Sequence, residues 1–386
     1  MNYDVAVVGL GGIGSAILAH CARRGAAAIG LEQFQRGHEL GASSGKSRMI
    51  RKAYFEDSAY VPLVLRAYEL WHELERDAGA ELMHQTGVLA VGTEESQIIR
   101  GIKRAAREHA LRLETLGQEE VVRRYPHLKL LPDETAVFEP NGAVLEPERA
   151  TAAHLACAES AGAELSFENE MVAWEPVQDG VLLRLADGRR ITARTVVLAL
   201  GPWFQAALGS VGISLRLQRN VQVWFAPKIA GYAAPEFPAF LLDRAGLPAP
   251  LYGFPDFGDG LKAAFHGSGD FTDPQKLDRE IEIARDVQPL VAAMEQWMPG
   301  AAGSVLSAKP CLYALTRDEH FVLGQHPDHP SVILCGGFSG HGFKFAPVIG
   351  EIAADLALDG GTRHQIEFLS PNRFRNGGSP ADATNA

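Results

Sequence analysis

The chain has 386 residues, is 46% hydrophobic and carries a formal net charge of -11; this exceeds what a single hydrophobic core usually organises, which predicts two domains. The acidic balance argues against nucleic acid and anionic membrane surfaces as partners, because both demand a net or clustered positive face. No apolar stretch approaches the ~20 residues of a spanning helix, and the opening Met-Asn-Tyr-Asp has no leader pattern, so the expectation is a cytoplasmic protein acting on small molecules.

In chain order, Tyr3 to Val8 reads as a buried strand, Ile13 to Arg24 as a helix closed by Gly25, and Ala26 to Leu31 as a second buried strand ending at Glu32. An amphipathic helix follows from about Tyr60 to Glu75, then a strand at Gly87 to Val91, a helix near Glu94 to Ala110 and a strand at Ala136 to Phe138. These no longer alternate as a simple parallel sheet would. Glu148 to Ala161 reads as a helix, with strands at Leu165 to Phe167, Val181 to Leu185 and Thr195 to Leu200, the last ended by Gly201-Pro202-Trp203. Aromatic strands at Val221 to Phe225, Leu251 to Phe254 and Leu261 to Phe265 predict a mixed sheet covering a ligand. A strand at Val332 to Cys335, a glycine-rich turn and a helix at Phe345 to Leu356 complete the pattern, and the tail from Asn376 to Ala386 reads as disordered.

The first of these units carries Gly9-Leu10-Gly11-Gly12-Ile13-Gly14. Such a turn is weak evidence alone, but here it joins a strand to a helix. Gly9 permits the tight turn, Gly11 lets the backbone approach a pyrophosphate, Gly14 allows helix to pack on sheet, and the helix N-terminus supplies free N–H donors. Glu32 stands 21 residues after Gly11, where a carboxylate can accept the hydroxyls of an adenosine ribose. The unit predicts a dinucleotide without deciding between NAD and FAD. Cys21, Cys157, Cys311 and Cys335 are too scattered for a zinc site or a disulfide framework, and no metal site is expected. Gly337-Phe338-Ser339-Gly340-His341 is not a nucleophile elbow, since His341 replaces the last glycine.

Four longer strings settle the cofactor. Ser47-Arg48-Met49-Ile50-Arg51-Lys52-Ala53-Tyr54, Tyr252-Gly253-Phe254-Pro255 with Gly260-Leu261-Lys262, Cys311-Leu312-Tyr313 with Asp318-Glu319-His320-Phe321, and Gly337 to Phe345 occur in this order. Together they resemble the monomeric sarcosine oxidase family, which includes N-methyltryptophan oxidase and pipecolate oxidase. The resemblance implies an α/β fold of the D-amino-acid oxidase type: a Rossmann-type FAD-binding domain in three pieces (1–82, 145–216, 310–375) and a mixed-sheet substrate domain (83–144, 217–309). It implies FAD joined covalently to Cys311, oxidation of a secondary amino acid such as sarcosine, O2 as acceptor, H2O2 as product, and a monomer. Read without it, Cys311 is a small buried hydrophobe.

The same resemblance assigns roles to residues. Arg51 and Lys344 match its carboxylate-binding pair, where a guanidinium fixes an anion by parallel hydrogen bonds; charge pattern alone makes Arg51 a surface ion-pair partner of Glu56 or Asp57. Lys262 matches the oxygen-activating lysine, against the commonplace reading of an exposed edge-strand lysine. Strand alternation places Lys262, Ala264 and His266 on one face. Arg48 matches an arginine near the flavin, and Tyr252 and Tyr313 match cavity aromatics. With Gly9, Gly11, Ile13, Gly14 and Glu32, the expected FAD contacts are Ser43, Ser47, Arg48, Val172, Gly201, Trp203 and Cys311. Phe338, Gly340, His341, Gly342, Phe343 and Lys344 complete the set from the last glycine-rich turn, whose N–H groups suit the negative end of reduced flavin. Arg48, Arg51, Lys262 and Lys344 around one cavity would depress the pKa of a substrate ammonium, in keeping with the lack of an obvious carboxylate base in these strings.

The sequence departs from better-known bacterial members at Lys46, where they carry an acid, and at Phe257-Gly258-Asp259-Gly260, which is one residue shorter than in some. Arg51 to Asp57 is nearer to pipecolate oxidase. Larger substrates (N-methyltryptophan, pipecolate, a fructosyl amino acid), a dehydrogenase that ignores O2 and a non-enzymatic flavin sensor are the rival readings.

Overall fold

The computed structural model describes residues 2–208 and 211–375, so the tail expected to be disordered lies outside the described residues. The strand Asn2–Val8 lies between parallel neighbours on both sides, with Val5 opposite Ala28 of Ala28–Leu31 and opposite Thr195 of Arg190–Leu198. Its side chains alternate between two cores: Val5 and Val7 enter one apolar cluster, Ala6 and Val8 the other. A strand covered on both faces must be apolar throughout, which is why this segment reads as a continuous hydrophobic run.

Val332–Gly336 pairs in parallel with the end of Arg190–Leu198, and the antiparallel strands Met171–Val177 and Gly180–Leu185 extend the same eight-stranded sheet. The helix Gly12–Arg23 packs against Pro147–Ser160 and Ala346–Asp359 on one side of it. Gly350 makes the last contact close, since a Cβ there would stand 2.8 Å from the Ala16 carbonyl oxygen.

The second sheet has nine strands and is antiparallel except where Ala239–Asp243 runs beside Val88–Thr93. Its apolar face closes on the helix Gln288–Trp297. A small third sheet joins Arg48–Ile50, Ala143–Leu145 and Met83–His84. The expected mixed α/β class with a second, mixed sheet is the observed one, and the small third sheet adds to it.

Most expected elements lie within two or three residues of the observed bounds, and the larger differences have local causes. The strand Ser304–Leu315, which carries Cys311 and Tyr313, was not expected, because Pro310 removes a ladder donor. It is tolerated because this strand pairs only with Arg216–Ala226 and so forms an edge. The three short strands of the small sheet are equally invisible in sequence, at two or three residues each. Among the described residues no helix is long and apolar enough to cross a membrane, and no cluster of residues could hold a metal ion.

Candidate functional site

At the carboxyl ends of the parallel strands lies an elongated cavity of about 550 Å³, walled at one end by Gly9, Gly11 and Glu32. Gly9 has φ +91°, and a Cβ there would stand 2.4 Å from the Ala199 oxygen; a Cβ on Gly14 would stand 1.7 Å from the Gly9 oxygen. Gly11 meets nothing nearer than Ser43 Oγ at 3.5 Å, so its backbone remains open to a ligand. Gly14 itself lies behind this wall, packing helix against turn.

Glu32 is held by its own backbone surroundings. Leu10 N donates to Oε2 at 2.9 Å and Phe34 N to Oε1 at 3.0 Å. Burial opposes its charge, but His38 and these two amides outweigh it and hold the carboxyl below its ordinary value. His38 Nε2 lies 3.5 Å from Oε1, while Oε2 keeps a lone pair free for a ribose hydroxyl. Val172, Gly201 and Trp203 line the same cavity. The open glycine, the helix N-terminus and the fixed carboxylate together fit the adenosine diphosphate half of FAD.

A smaller cavity of about 150 Å³ continues inward, sharing Ile13, Ala42, Ser43, Gly201 and Phe338 as walls. Ser47, Arg48, Arg51, Cys311 and Tyr313 face it from one group of segments. Gly340, His341, Gly342, Phe343 and Lys344 face it from the last glycine-rich turn, and Tyr252 and His266 from the nine-stranded sheet. All four cysteines are free thiols, and Cys311 lies in the wall of this inner cavity.

Arg51 is 4% exposed. Its Nη1 donates to the Ala53 carbonyl at 3.0 Å, and its Nη2 reaches both oxygens of Glu56 at 2.9 and 2.8 Å. The ion pair with Glu56 that charge pattern implied is thus present, but it lies in the cavity wall, with Arg51 buried and Glu56 half-buried. Burial pushes the Glu56 carboxyl up, yet the Arg51 charge, with Lys344 adding to it, brings it down to about 2. Lys344 donates to the His341 carbonyl at 2.9 Å; burial lowers its pKa to about 7, with Glu56 opposing and Arg51 and Arg48 assisting. Glu56 lies just beyond the Ser47 to Tyr54 string and brings a carboxylate to the site as the partner of Arg51. Nothing in its local sequence places it in a cavity wall.

Histidines here are neutral. His341 Nε2 donates to the Glu319 carbonyl at 3.1 Å, which leaves Nδ1 to accept from the Tyr54 hydroxyl, and burial pushes its pKa down to about 3. His266 Nδ1 and the Tyr313 hydroxyl lie 3.1 Å apart, and burial takes His266 to about 4.

Lys262 is 2% exposed and sits in a strand with partners on both sides, so it is not an edge-strand lysine. Its Nζ donates to the Gly45 and Ser47 carbonyls, both at 2.7 Å, and burial with Arg48 nearby takes its pKa well down. Arg48 ties the same loop, donating to the carbonyls of Ser47 at 2.8 Å, Ala42 at 3.0 Å and Ser44. Lys262 therefore stands behind the loop that walls the cavity, while Arg48, Arg51 and Lys344 face into it. Lys262 and His266 share the expected face: Lys262 Nζ lies 4.3 Å from the centre of the Phe254 ring, and Phe254 and His266 both flank Tyr252; His266 N continues the ladder by donating to the Pro250 carbonyl. Sequence reasoning also missed Gln222, a buried wall residue donating to the Tyr252 hydroxyl at 3.5 Å.

Against known proteins, residues 4–356 match the family described as FAD dependent oxidoreductase (DAO). A monomeric sarcosine oxidase of Streptomyces avermitilis is 42% identical over 379 residues, covering 97% of this chain and 98% of that protein. An N-methyl-L-tryptophan oxidase of Yersinia pestis is 31% identical over 378 residues, covering 97% and 100%. Among solved structures, NikD, an unusual amino acid oxidase essential for nikkomycin biosynthesis, superposes with TM-score 0.84 at 26% identity, covering 96% of this chain and 97% of that one. With its dinucleotide trough and these relatives, the chain belongs to the DAO family of FAD-dependent oxidoreductases and is a sarcosine oxidase-like amine oxidoreductase.

Proposed function

We propose that this chain oxidises the C–N bond of a small secondary amino acid, sarcosine or a similar N-methyl amino acid, passing two electrons to O2. Loss of two electrons and two protons converts the amine to an imine, which water hydrolyses to amine plus aldehyde; O2 takes up the equivalents as H2O2. Bound FAD supplies the two-electron acceptor and donor for this chemistry, and its attachment through Cys311 is part of the proposal.

The observation that carries the reading is the grip of Arg51 on a carboxylate beside Lys344 in the wall of a cavity that also holds Cys311. The Glu56 carboxylate marks where a substrate carboxylate binds, and it must yield its bonds to one. Arg51 and Lys344 then fix the substrate's direction. Arg48, Arg51 and Lys344 disfavour a further positive charge, so the substrate amine sheds its proton more readily. His266, Tyr313 and Tyr252 position the substrate from the sheet side, and Lys262 is assigned to the oxygen reaction.

The eight-stranded sheet and its helices support 1–82, 145–216 and 310–375 as the FAD-binding domain, with 83–144 and 217–309 as the substrate domain. The relatives named as monomeric support a monomer, and the cytoplasm is the proposed location.

The test is acid precipitation followed by a peroxide assay over sarcosine, pipecolate and N-methyl-L-tryptophan. Yellow pellet and peroxide from sarcosine are the expected results. Flavin wholly in the supernatant would remove the Cys311 linkage, and turnover without peroxide would replace the oxidase by a dehydrogenase.

A further inference from the structure

Phe55 stands between Arg51 and the helix Gln97–Glu108, and it takes no part in the roles assigned above. Its ring lies under the Arg51 guanidinium, 4.3 Å from Cζ to centroid, and faces the inner cavity together with Met49, Leu241 and Tyr252. Behind it, Phe55 packs on an apolar cluster containing Ile98, Ile99 and Ile102.

Its backbone has no room to retreat. A Cβ on Gly101 would stand 2.4 Å from the Phe55 carbonyl oxygen and 2.8 Å from its Cα and Cβ. Glycine in a helix interior is disfavoured by about 1 kcal/mol relative to alanine, and here the missing side chain allows the Phe55 segment to lie directly against the helix. The Phe55 backbone is thus fixed against Gly101, and its ring is covered by Arg51.

A carboxylate bound to Arg51 places the rest of its molecule beside this ring. We infer that Phe55 is a specificity-determining residue which caps the room for the amino acid's nitrogen and α-carbon substituents, favouring open-chain N-methyl glycine types over cyclic or aryl-bearing ones. The inference rests on the reading of Arg51 as the carboxylate anchor. Apolar pockets discriminate by ~10–200-fold per methylene, so removing most of a phenyl ring has a measurable effect.

The experiment compares wild type, Phe55→Ala and Phe55→Leu as holoenzymes with sarcosine, pipecolate and N-methyl-L-tryptophan, using an artificial electron acceptor so that the result does not depend on O2. The expected result is a rise of about tenfold or more in the pipecolate-to-sarcosine ratio of kcat/KM for Phe55→Ala, with Phe55→Leu between. An unchanged or lower ratio overturns the inference. A wild type inert to all three would refute the proposed substrate class, and calorimetry with acetate and cyclohexanecarboxylate then decides separately. A shift of their Kd ratio toward the larger acid in Phe55→Ala sustains the role of Phe55; no shift, or no binding of either acid, overturns it.

Discussion

Around Gly9 and Glu32 the outer cavity is made by backbone: a glycine turn, a helix N-terminus and a carboxylate fixed by two amides. Around Arg51 and Lys344 the inner cavity is made by side chains from segments scattered along the chain, with a half-buried carboxylate already on the arginine. The first presents a rigid surface that a ligand only has to meet. The second holds an internal competitor, so binding there exchanges one carboxylate for another, and its affinity is a difference between two ion pairs. The outer surface is therefore formed before its ligand arrives, whereas binding at the inner one is an exchange.

The comparison is broken most directly at Gly14. In Gly14→Ala the added methyl stands 1.7 Å from the Gly9 oxygen, and we expect purified protein almost free of flavin, read as flavin absorbance per chain. Normal flavin content would mean that the turn adapts and is not the rigid element described. At the other end, Arg51→Gln should lower kcat/KM for a carboxylate substrate by about two to three orders of magnitude, the usual scale for truncating one partner of a buried charge pair. Its flavin content should stay at the wild-type level; loss of both would show that the two regions are not separable.

Smaller effects sharpen the inner site. Lys344 has its pKa lowered to about 7, so in the free protein its charge is present below that pH and lost above it. Acetate affinity should fall as pH rises through about 7, approaching about tenfold per unit, the limit for one linked proton. Lys344→Gln should flatten that profile, and an unchanged slope would assign the proton elsewhere. Smallest of all, Glu56→Gln weakens the internal competitor, and acetate should bind about fivefold more tightly, equivalent to ~1 kcal/mol. Calorimetry giving equal or weaker binding would show that Glu56 assists the anion site instead of competing with it.

The difference between the regions also decides what could be read from sequence. The glycines and Glu32 act through spacing within one strand–helix–strand unit, so their arrangement is legible from the first 32 residues. Arg51 and Lys344 were reached through resemblance, and their joint presence in one wall depends on the small sheet that carries Arg48–Ile50. Glu56 was legible as a partner of Arg51, but the place of that pair in a cavity wall was not, because the wall is assembled from segments far apart in the chain. Strand alternation gave the face that Lys262 shares with His266 but not its burial. Its destination, the carbonyls of Gly45 and Ser47, belongs to a loop more than two hundred residues earlier. The Ser304–Leu315 strand was hidden by Pro310, which sequence reasoning counts against a strand and an edge position accommodates.

That edge strand has a bearing on how the protein matures. Gly9 and Cys311 stand about 300 residues apart, and Cys311 reaches the cavity only when Ser304–Leu315 has zipped along Arg216–Ala226. Contacts of such long sequence separation form late in folding. The trough is then complete only in a chain whose two ends have already met, and the flavin content of a preparation becomes a gauge of how much of it has finished assembling.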